Sequence, residues 1–350
     1  MKYIQSFTLN ELYHWLDSKG IKPFRGRQIF TWVYKHQEDL FDRMTDLSKE
    51  IRALLTKEMR VYRLHLEHEQ RSKDGSRKML YRLEDGHSIE SVLIPERDHY
   101  TLCISSQVGC AQGCRFCLTG ASGFERNLTD TEIIAQVRDV IHLLNKENQN
   151  QDSQETKKLS NIVLMGMGEP LANYHQVVRA LAIITDSDYG LGFSHRKVTL
   201  STAGLVKQMQ TLPNDSRVQI AVSLNATTNQ TRDWLMPINK KYSIEKLLDT
   251  CKRYPCGSGK IITFEYVLLR DINDSIEDAK RLVNLLKPIR SKINLIPFNA
   301  NPKMTFLPPT EKDCLNFQTF LINNNFTTFI RKSKGQDISA ACGQLRAQKG

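Results

Sequence analysis

The sequence predicts an α/β fold: a partial barrel of six strand–helix units, preceded by a smaller unit of helices and a β-meander. Three observations lead there. From residue 101 onward, short apolar and β-branched runs alternate with amphipathic stretches at helical spacing, and repeated βα units imply a parallel sheet with right-handed crossovers. Ahead of them, three strand-like runs are separated by Asp74-Gly75 and Asp85-Gly86, a hairpin pattern. Before those, three stretches read as helices. At 350 residues the chain can bury a sizeable core, and its length suits one large domain and one small one.

Thr8 followed by Glu11 reads as a capping box opening a helix through about Ser18, with Gly20 as its stop. Pro23 precedes a second helical pattern over 25–36 carrying Ile29, Phe30, Trp32 and Val33, and a third spans 47–57. Arg25, Arg27, Lys57 and Arg60 stand near aromatics. They suit either a nucleic-acid backbone or stems laid along a helical bundle.

The meander is expected over 61–69, 77–83 and 87–94, its Asp-Gly pairs predicting type I′ turns. Pro95 and the charged run Glu96-Arg97-Asp98-His99 then mark a junction, dividing the chain into an accessory unit, 1–95, and a larger unit, 96–350. Barrel strands are expected near 101–106, 161–165, 197–201, 218–224, 261–269 and 292–296, and helices near 131–146, 174–185, 205–211, 244–252 and 276–286. Thr129 with Glu132 caps the first of these helices. Six units leave a barrel open on one side, with room for a large substrate. The polar stretch 148–158 is expected to be a flexible insert. The end reads helix, strand, helix over 316–323, 327–331 and 338–347.

Composition narrows the classes. A hydrophobic content of 40% and a charged content of 25% are those of a soluble globular protein. No apolar run approaches ~20 residues, so no membrane span is expected. The start lacks the apolar core of a signal peptide, which predicts a cytoplasmic protein with reduced thiols. Residues 1–200 carry 27 basic and 26 acidic side chains, residues 201–350 carry 22 and 12, so nearly all of the +11 excess lies in the last 150 residues. Such an excess suits a polyanionic partner or a basic surface kept for solubility.

The stretch from Thr101 to Thr119 holds four of the eight cysteines, with Cys110, Cys114 and Cys117 spaced C-x3-C-x2-C directly after a strand-like run. Three thiolates in one Gly-rich loop can hold a four-iron, four-sulfur cluster by three corners, leaving the fourth iron open to a small molecule. A zinc site wants four ligands. Only Cys114 and Cys117 form the usual pair, although Cys103 or His99 would complete a set. A disulfide does not suit a chain without an export signal.

In barrel-like α/β folds the ligand sits at the carboxyl ends of the strands. The second strand runs into Gly166-Met-Gly-Glu-Pro170, where Gly168 permits close backbone approach and Glu169 can accept from an ammonium. The same rule selects Ser201, the Ser223-Leu224-Asn225 turn and Asn299. Their polar side chains suit ribose hydroxyls or a carboxylate; singly, each also reads as a cap or turn residue.

The cysteine spacing, with Phe116 before the third cysteine, resembles the signature of the radical S-adenosylmethionine (SAM) enzymes. Taken with Met-Gly-Met-Gly-Glu-Pro, Leu-Ser-Thr, Pro-Ile-Asn-Lys-Lys-Tyr and Asp-Ile-x-Ala-Ala-Cys-Gly-Gln-Leu, the chain resembles the radical-SAM RNA methyltransferases that methylate adenine carbon 2. The resemblance runs from the N-terminal helices to Leu345. It implies a TIM-like radical-SAM barrel and one [4Fe-4S] cluster on Cys110, Cys114 and Cys117. It also implies SAM, two molecules per turnover, held by Gly168, Glu169, Ser201, Ser223, Leu224, Asn225 and Asn299. The implied partners are 23S rRNA, tRNA and an electron donor such as flavodoxin, with the protein a monomer. Asn225 departs from the family, whose members generally have His there.

The resemblance also implies roles. Adenine carbon 2 is electron-poor and does not attack SAM's methyl group by simple displacement. Cys342 accepts a methyl group from one SAM; a second SAM, reduced at the cluster, yields an adenosyl radical that takes hydrogen from it. The carbon radical adds to carbon 2, Glu90 takes the proton, and Cys103 attacks the Cys342 sulfur, giving a disulfide and free product. Met165 or Met167 lines the same pocket; Cys251, Cys256 and Cys314 match no motif. Two alternatives stand beside this reading: a sister enzyme methylating carbon 8 of the same adenine, and a zinc-stapled RNA-binding module without catalysis. Pro170 and Ile-Pro-Phe-Asn look more like the carbon 2 group.

Overall fold

The computed structural model describes residues 1–149, 157–255, 261–301 and 304–347. Most of the expected insert at 148–158, and Cys256, lie outside the described residues.

After the short strand β1 (Lys2–Tyr3), α1 (Leu9–Ser18) opens on the expected capping box. Glu11 N–H donates to the Thr8 hydroxyl at 3.2 Å, and Thr8 N–H to Glu11 Oε2 at 2.7 Å. α2 (Arg25–Phe30) widens into a π-helical turn over Thr31–Lys35, and α3 (Lys49–Glu58) follows, ending on β2 (Met59–Arg60), which pairs in parallel with β1. Leu12, Leu16, Ile29, Phe30, Val33 and Leu55 are buried between these helices, each worth about 1.5–3 kcal/mol of apolar burial. Arg25 and Arg27 are tied within the unit, Arg25 to Gln28 at 2.6 Å and Arg27 to Tyr13 at 2.8 Å, while Arg60 pairs with Glu84 at 3.2 Å.

The meander forms as β3 (His65–Arg71), β4 (Arg77–Arg82) and β5 (Ser88–Pro95). Its turns are not type I′, which needs positive φ at two residues. Only Gly75 (φ +85°) and Gly86 (φ +87°) have it, and each donates its N–H three residues back, Gly75 to Ser72 and Gly86 to Leu83. These are three-residue loops closed by a left-handed glycine.

Pairing is unbroken across the expected junction, because β5 pairs with β6 (His99–Cys103) from Val92↔Cys103 to Pro95↔Tyr100. A small ribbon of β7 (Gln107–Gly109) and β8 (Phe124–Asn127) encloses α4 (Leu118–Ala121). The barrel continues through α5 (Asp130–Gln149), β9 (Lys158–Leu164), α6 (Tyr174–Thr185), β10 (Val198–Thr202), α7 (Val206–Asp215) and β11 (Gln219–Ser223). It ends with α8 (Asn229–Leu235), α9 (Ile244–Arg253), β12 (Ile262–Leu268), α10 (Ile276–Leu286), β13 (Ser291–Pro297), α11 (Glu311–Asn323) and β14 (Thr327–Ile330). The main sheet runs β14-β13-β12-β11-β10-β9-β6-β5-β4-β3. The strands from β6 to β14 are parallel, with β14 added beyond the six expected units, and the sheet does not close on itself.

Arg138 on α5 fastens the N-terminal helices to this barrel. Its fully buried guanidinium donates to Val33 O at 3.0 Å and pairs with Asp39 at 2.6 Å. Among the described residues no helix is long and apolar enough to cross a membrane.

The expected helix over 338–347 does not form. A 3₁₀ turn at Gln336–Ile338 leads into a looped segment in which Ser339, Gly343 and Ala347 have φ of 51°, 81° and 51°. Its backbone groups are bonded elsewhere: Gly343 O accepts from Leu118 N–H at 2.8 Å and Leu345 O from the Thr119 hydroxyl at 2.6 Å. A helix over these residues would need the Gly343 carbonyl for the N–H of Ala347.

Candidate active site

The cysteine loop is built to lie close against its own ribbon. Gly109 has φ +74°, and a Cβ there would sit 2.0 Å from Gly123 O, which accepts Cys110 N–H at 2.7 Å. No other residue fits at that position. Arg115 N–H donates to Leu235 O at 3.0 Å, tying the loop tip to α8. Cys110, Cys114 and Cys117 thereby come to one wall of a cavity at the carboxyl ends of the parallel strands. All three are free thiols. Burial pushes Cys110 up to about 12 and Cys114 higher still, so both stay protonated until a ligand with strong thiolate affinity displaces the protons. Among the described residues no three metal-binding side chains converge tightly enough for a single ion.

The turn after β9 fills the next part of the wall. Gly168 has φ +100°, and a Cβ there would lie 2.6 Å from Gln107 Cβ. Glu169 is buried; its carboxylate accepts Ala203 N–H at 2.7 Å and Leu171 N–H at 3.0 Å, with no cationic side chain in ion-pair reach among the described residues. Burial raises its pKa to about 7. A buried carboxylate with an unmatched charge on a cavity wall fits a ligand ammonium.

Ser201 and Ser223 line the same cavity. Asn225 has φ +56°, which Asn tolerates better than most residues. Its Oδ1 accepts Val267 N–H at 2.8 Å and its Nδ2 meets Met236 Sδ at 3.2 Å. Leu224 does not line the cavity; its side chain is buried, and its N–H donates to Glu265 O at 3.0 Å. Asn299 lines it while donating to Cys342 O at 3.1 Å and accepting from Gln336 at 2.8 Å.

Cys342 presents its exposed surface to this cavity, and the surrounding wall still pushes its thiol up to about 11. Cys103, at the end of β6, lies buried behind the wall; burial and then the Cys342 thiol raise its pKa strongly. Glu90 is not on the wall. Its Oε1 pairs with Lys78 at 3.4 Å, and its Oε2 accepts Arg346 N–H at 2.9 Å and Ala347 N–H at 3.2 Å.

Comparison with known proteins decides the family. Residues 4–61 match the model for the ribosomal RNA large subunit methyltransferase N-terminal domain, and residues 104–283 that for the radical SAM superfamily. The dual-specificity RNA methyltransferase RlmN of Desulfosudis oleivorans is 51% identical over 98% of this chain and 90% of its own length. That of Geotalea uraniireducens is 49% identical over 99% and 96%. This chain belongs to the RlmN family of radical SAM methyltransferases. A radical SAM methyltransferase from Sphaerobacter thermophilus, 39% identical and covering 99% of this chain and 100% of its own, superimposes with a TM-score of 0.91. The radical SAM superfamily uses a four-iron cluster with SAM, and the three thiols and the unmatched Glu169 carboxylate fit that pair.

Two functional-site residues escaped the sequence reading. Glu265 sits mid-strand on β12, buried, on the cavity wall, accepting from Asn294 at 2.9 Å. A glutamate inside the apolar run Ile-Thr-Phe-Glu-Tyr-Val-Leu was the available signal. Arg232, fully buried on α8, donates to Leu224 O at 3.0 Å, Ala203 O at 2.8 Å, Ser223 O at 3.1 Å and Asn239 Oδ1 at 3.0 Å. One guanidinium thus fixes the ends of β10 and β11 where Ser223 and Asn225 face the cavity; nothing local in the sequence marks it.

Proposed function

We propose that this protein methylates carbon 2 of adenine in 23S rRNA and in tRNA, using Cys342 as the methyl carrier. The observation that carries this is the shared cavity: Cys342 lines the same space as the three cluster cysteines, with Cys103 coupled to it from behind. When bound, the cluster and SAM supply a methyl group and radical hydrogen abstraction, two SAM molecules being consumed per turnover.

The chain's own residues do the rest. Cys110, Cys114 and Cys117 hold the cluster; Glu169 takes the ammonium of SAM, and Ser201, Ser223 and Asn225 the rim around it. Asn299 orients the backbone of Cys342 through its carbonyl. Glu90 accepts the carbon 2 proton once the C-terminal segment swings off it, and Cys103 resolves the protein–RNA link by forming a disulfide with Cys342. Both sulfurs must then approach ~2.05 Å. Residues 1–95 serve as an accessory unit gripping RNA and 96–350 as the catalytic unit. The protein works as a cytoplasmic monomer fed by an electron donor such as flavodoxin.

The test is nucleoside mass spectrometry after anaerobic turnover on 23S rRNA fragments and tRNA. The expected product is 2-methyladenosine; 8-methyladenosine, or no methylated adenosine, would overturn the reading.

A further inference from the structure

An aromatic path leaves the cavity and ends on the surface. Phe298, on the cavity wall, meets Phe306 edge-on at 5.8 Å, and Phe306 meets Trp234 edge-on at 5.6 Å. Trp234, on α8, is 42% exposed. The guanidinium of Arg115, the residue between Cys114 and Phe116 in the cluster loop, lies 5.5 Å from its ring centre.

The charge at this rim is unmatched. Arg115, Lys240 and Lys241 are exposed, and none has a carboxylate within ion-pair distance among the described residues. Pro237, which opens the 3₁₀ turn ending at Lys240, lies beside the cluster loop: a Cβ on Gly113 would lie 3.9 Å from it. The carboxylate of Asp233, next to Trp234, is turned to Asn239, whose amide donates to it at 2.7 Å.

A large exposed indole backed by a guanidinium, with two exposed lysines on the turn that follows its helix, suits an unstacked nucleobase with its phosphates. An apolar protein partner would leave these cations unmatched. We propose that Trp234 is a stacking platform for an unpaired RNA base beside the target adenine, with Arg115, Lys240 and Lys241 holding the adjoining phosphates. This rests on the RNA methyltransferase reading above and extends it. A base stacked on Trp234 places its neighbour at the mouth that Phe298 lines, so the platform selects single-stranded loops over duplex.

The experiment compares Trp234→Ala and Trp234→Phe holoenzymes, of equal iron content, with wild type on an RNA stem-loop carrying the target adenine. Loss of one stacked base should raise KM for RNA about 5- to 100-fold in Trp234→Ala, with kcat largely kept, and Trp234→Phe should recover most of it. An unchanged KM in Trp234→Ala, or no recovery in Trp234→Phe, overturns the platform while wild-type methylation leaves the enzyme reading intact. A wild type that neither binds nor methylates the stem-loop overturns the enzyme reading itself.

Discussion

Glu90 Oε2 accepts the backbone N–H of Arg346 at 2.9 Å, which ties the middle of β5 to the segment carrying Cys342. The same oxygen accepts Ala347 N–H, Lys78 pairs with the other oxygen, and Lys78 Nζ also reaches Ser339 O at 3.5 Å. Asp74 accepts Gly335 N–H at 2.8 Å, and Asp337 accepts from the Ser72 hydroxyl at 2.5 Å. The meander therefore serves as the dock for the C-terminal segment, and in the mechanism proposed above Glu90 takes up its proton only when that dock opens.

Glu90→Ala should release the segment. It leaves Lys78 buried without its partner and two amides without an acceptor, a loss of about 3 kcal/mol or more. Hydrogen exchange over residues 340–347 should rise by more than tenfold, and the urea midpoint should fall. Exchange as slow as in wild type would show that the other contacts hold the segment alone.

Glu169 gives the protein without cofactors a pH signature. An unfolded glutamate loses its proton near 4.5, the folded one near 7, because of burial. Between these values the folded state holds the extra proton, so stability falls as pH rises, by on the order of 3 kcal/mol in full. Chemical denaturation at about pH 5 and about pH 8 should show this fall in wild type and a smaller one in Glu169→Gln. Equal pH dependence in the two proteins would contradict it.

Arg232→Met should destabilise by about 3 kcal/mol or more, because four buried acceptors lose their donor at once. Arg232→Lys should fare little better, since an ammonium cannot match the guanidinium fork. Thermal unfolding checks both; a variant within a degree or two of wild type would remove Arg232 as the brace of the β10 and β11 ends.

Burial first, and then the charge of Glu265, raise the pKa of the Cys342 thiol. Glu265→Gln should lower it, so alkylation of Cys342, followed by peptide mass spectrometry, should reach half its maximal rate at a lower pH than in wild type. An unshifted profile would separate the two groups.

Much of the fold was legible because local and long-range signals agree. Thr8 with Glu11 and Thr129 with Glu132 cap the helices they announce, and each apolar run from β6 to β13 became a parallel strand. The cluster loop, Gly168, Glu169 and the serine-bearing rim converge as their places at strand ends imply. What failed has physical reasons. The Asp-Gly pairs fix only one positive φ each, so turn type depended on loop length. Residues 338–347 have helical spacing, but tertiary bonds to Glu90, Leu118 and Thr119 take their backbone groups. α8, Asn-Gln-Thr-Arg-Asp-Trp-Leu, has too few apolar positions to announce a helix, and Arg232 and Trp234 matter through contacts far apart in sequence. Asn299 was placed at the right wall, though its amide is committed to the Cys342 segment.

The pairing of Cys103 with Cys342 is tested most directly by Cys103→Ala, reconstituted without oxygen and turned over with SAM and substrate RNA. Mass spectrometry of the digested protein should find Cys342 joined through a one-carbon bridge to adenine, because the residue proposed to sever that link is gone. Free methylated RNA, with an unmodified Cys342 peptide, would contradict the account.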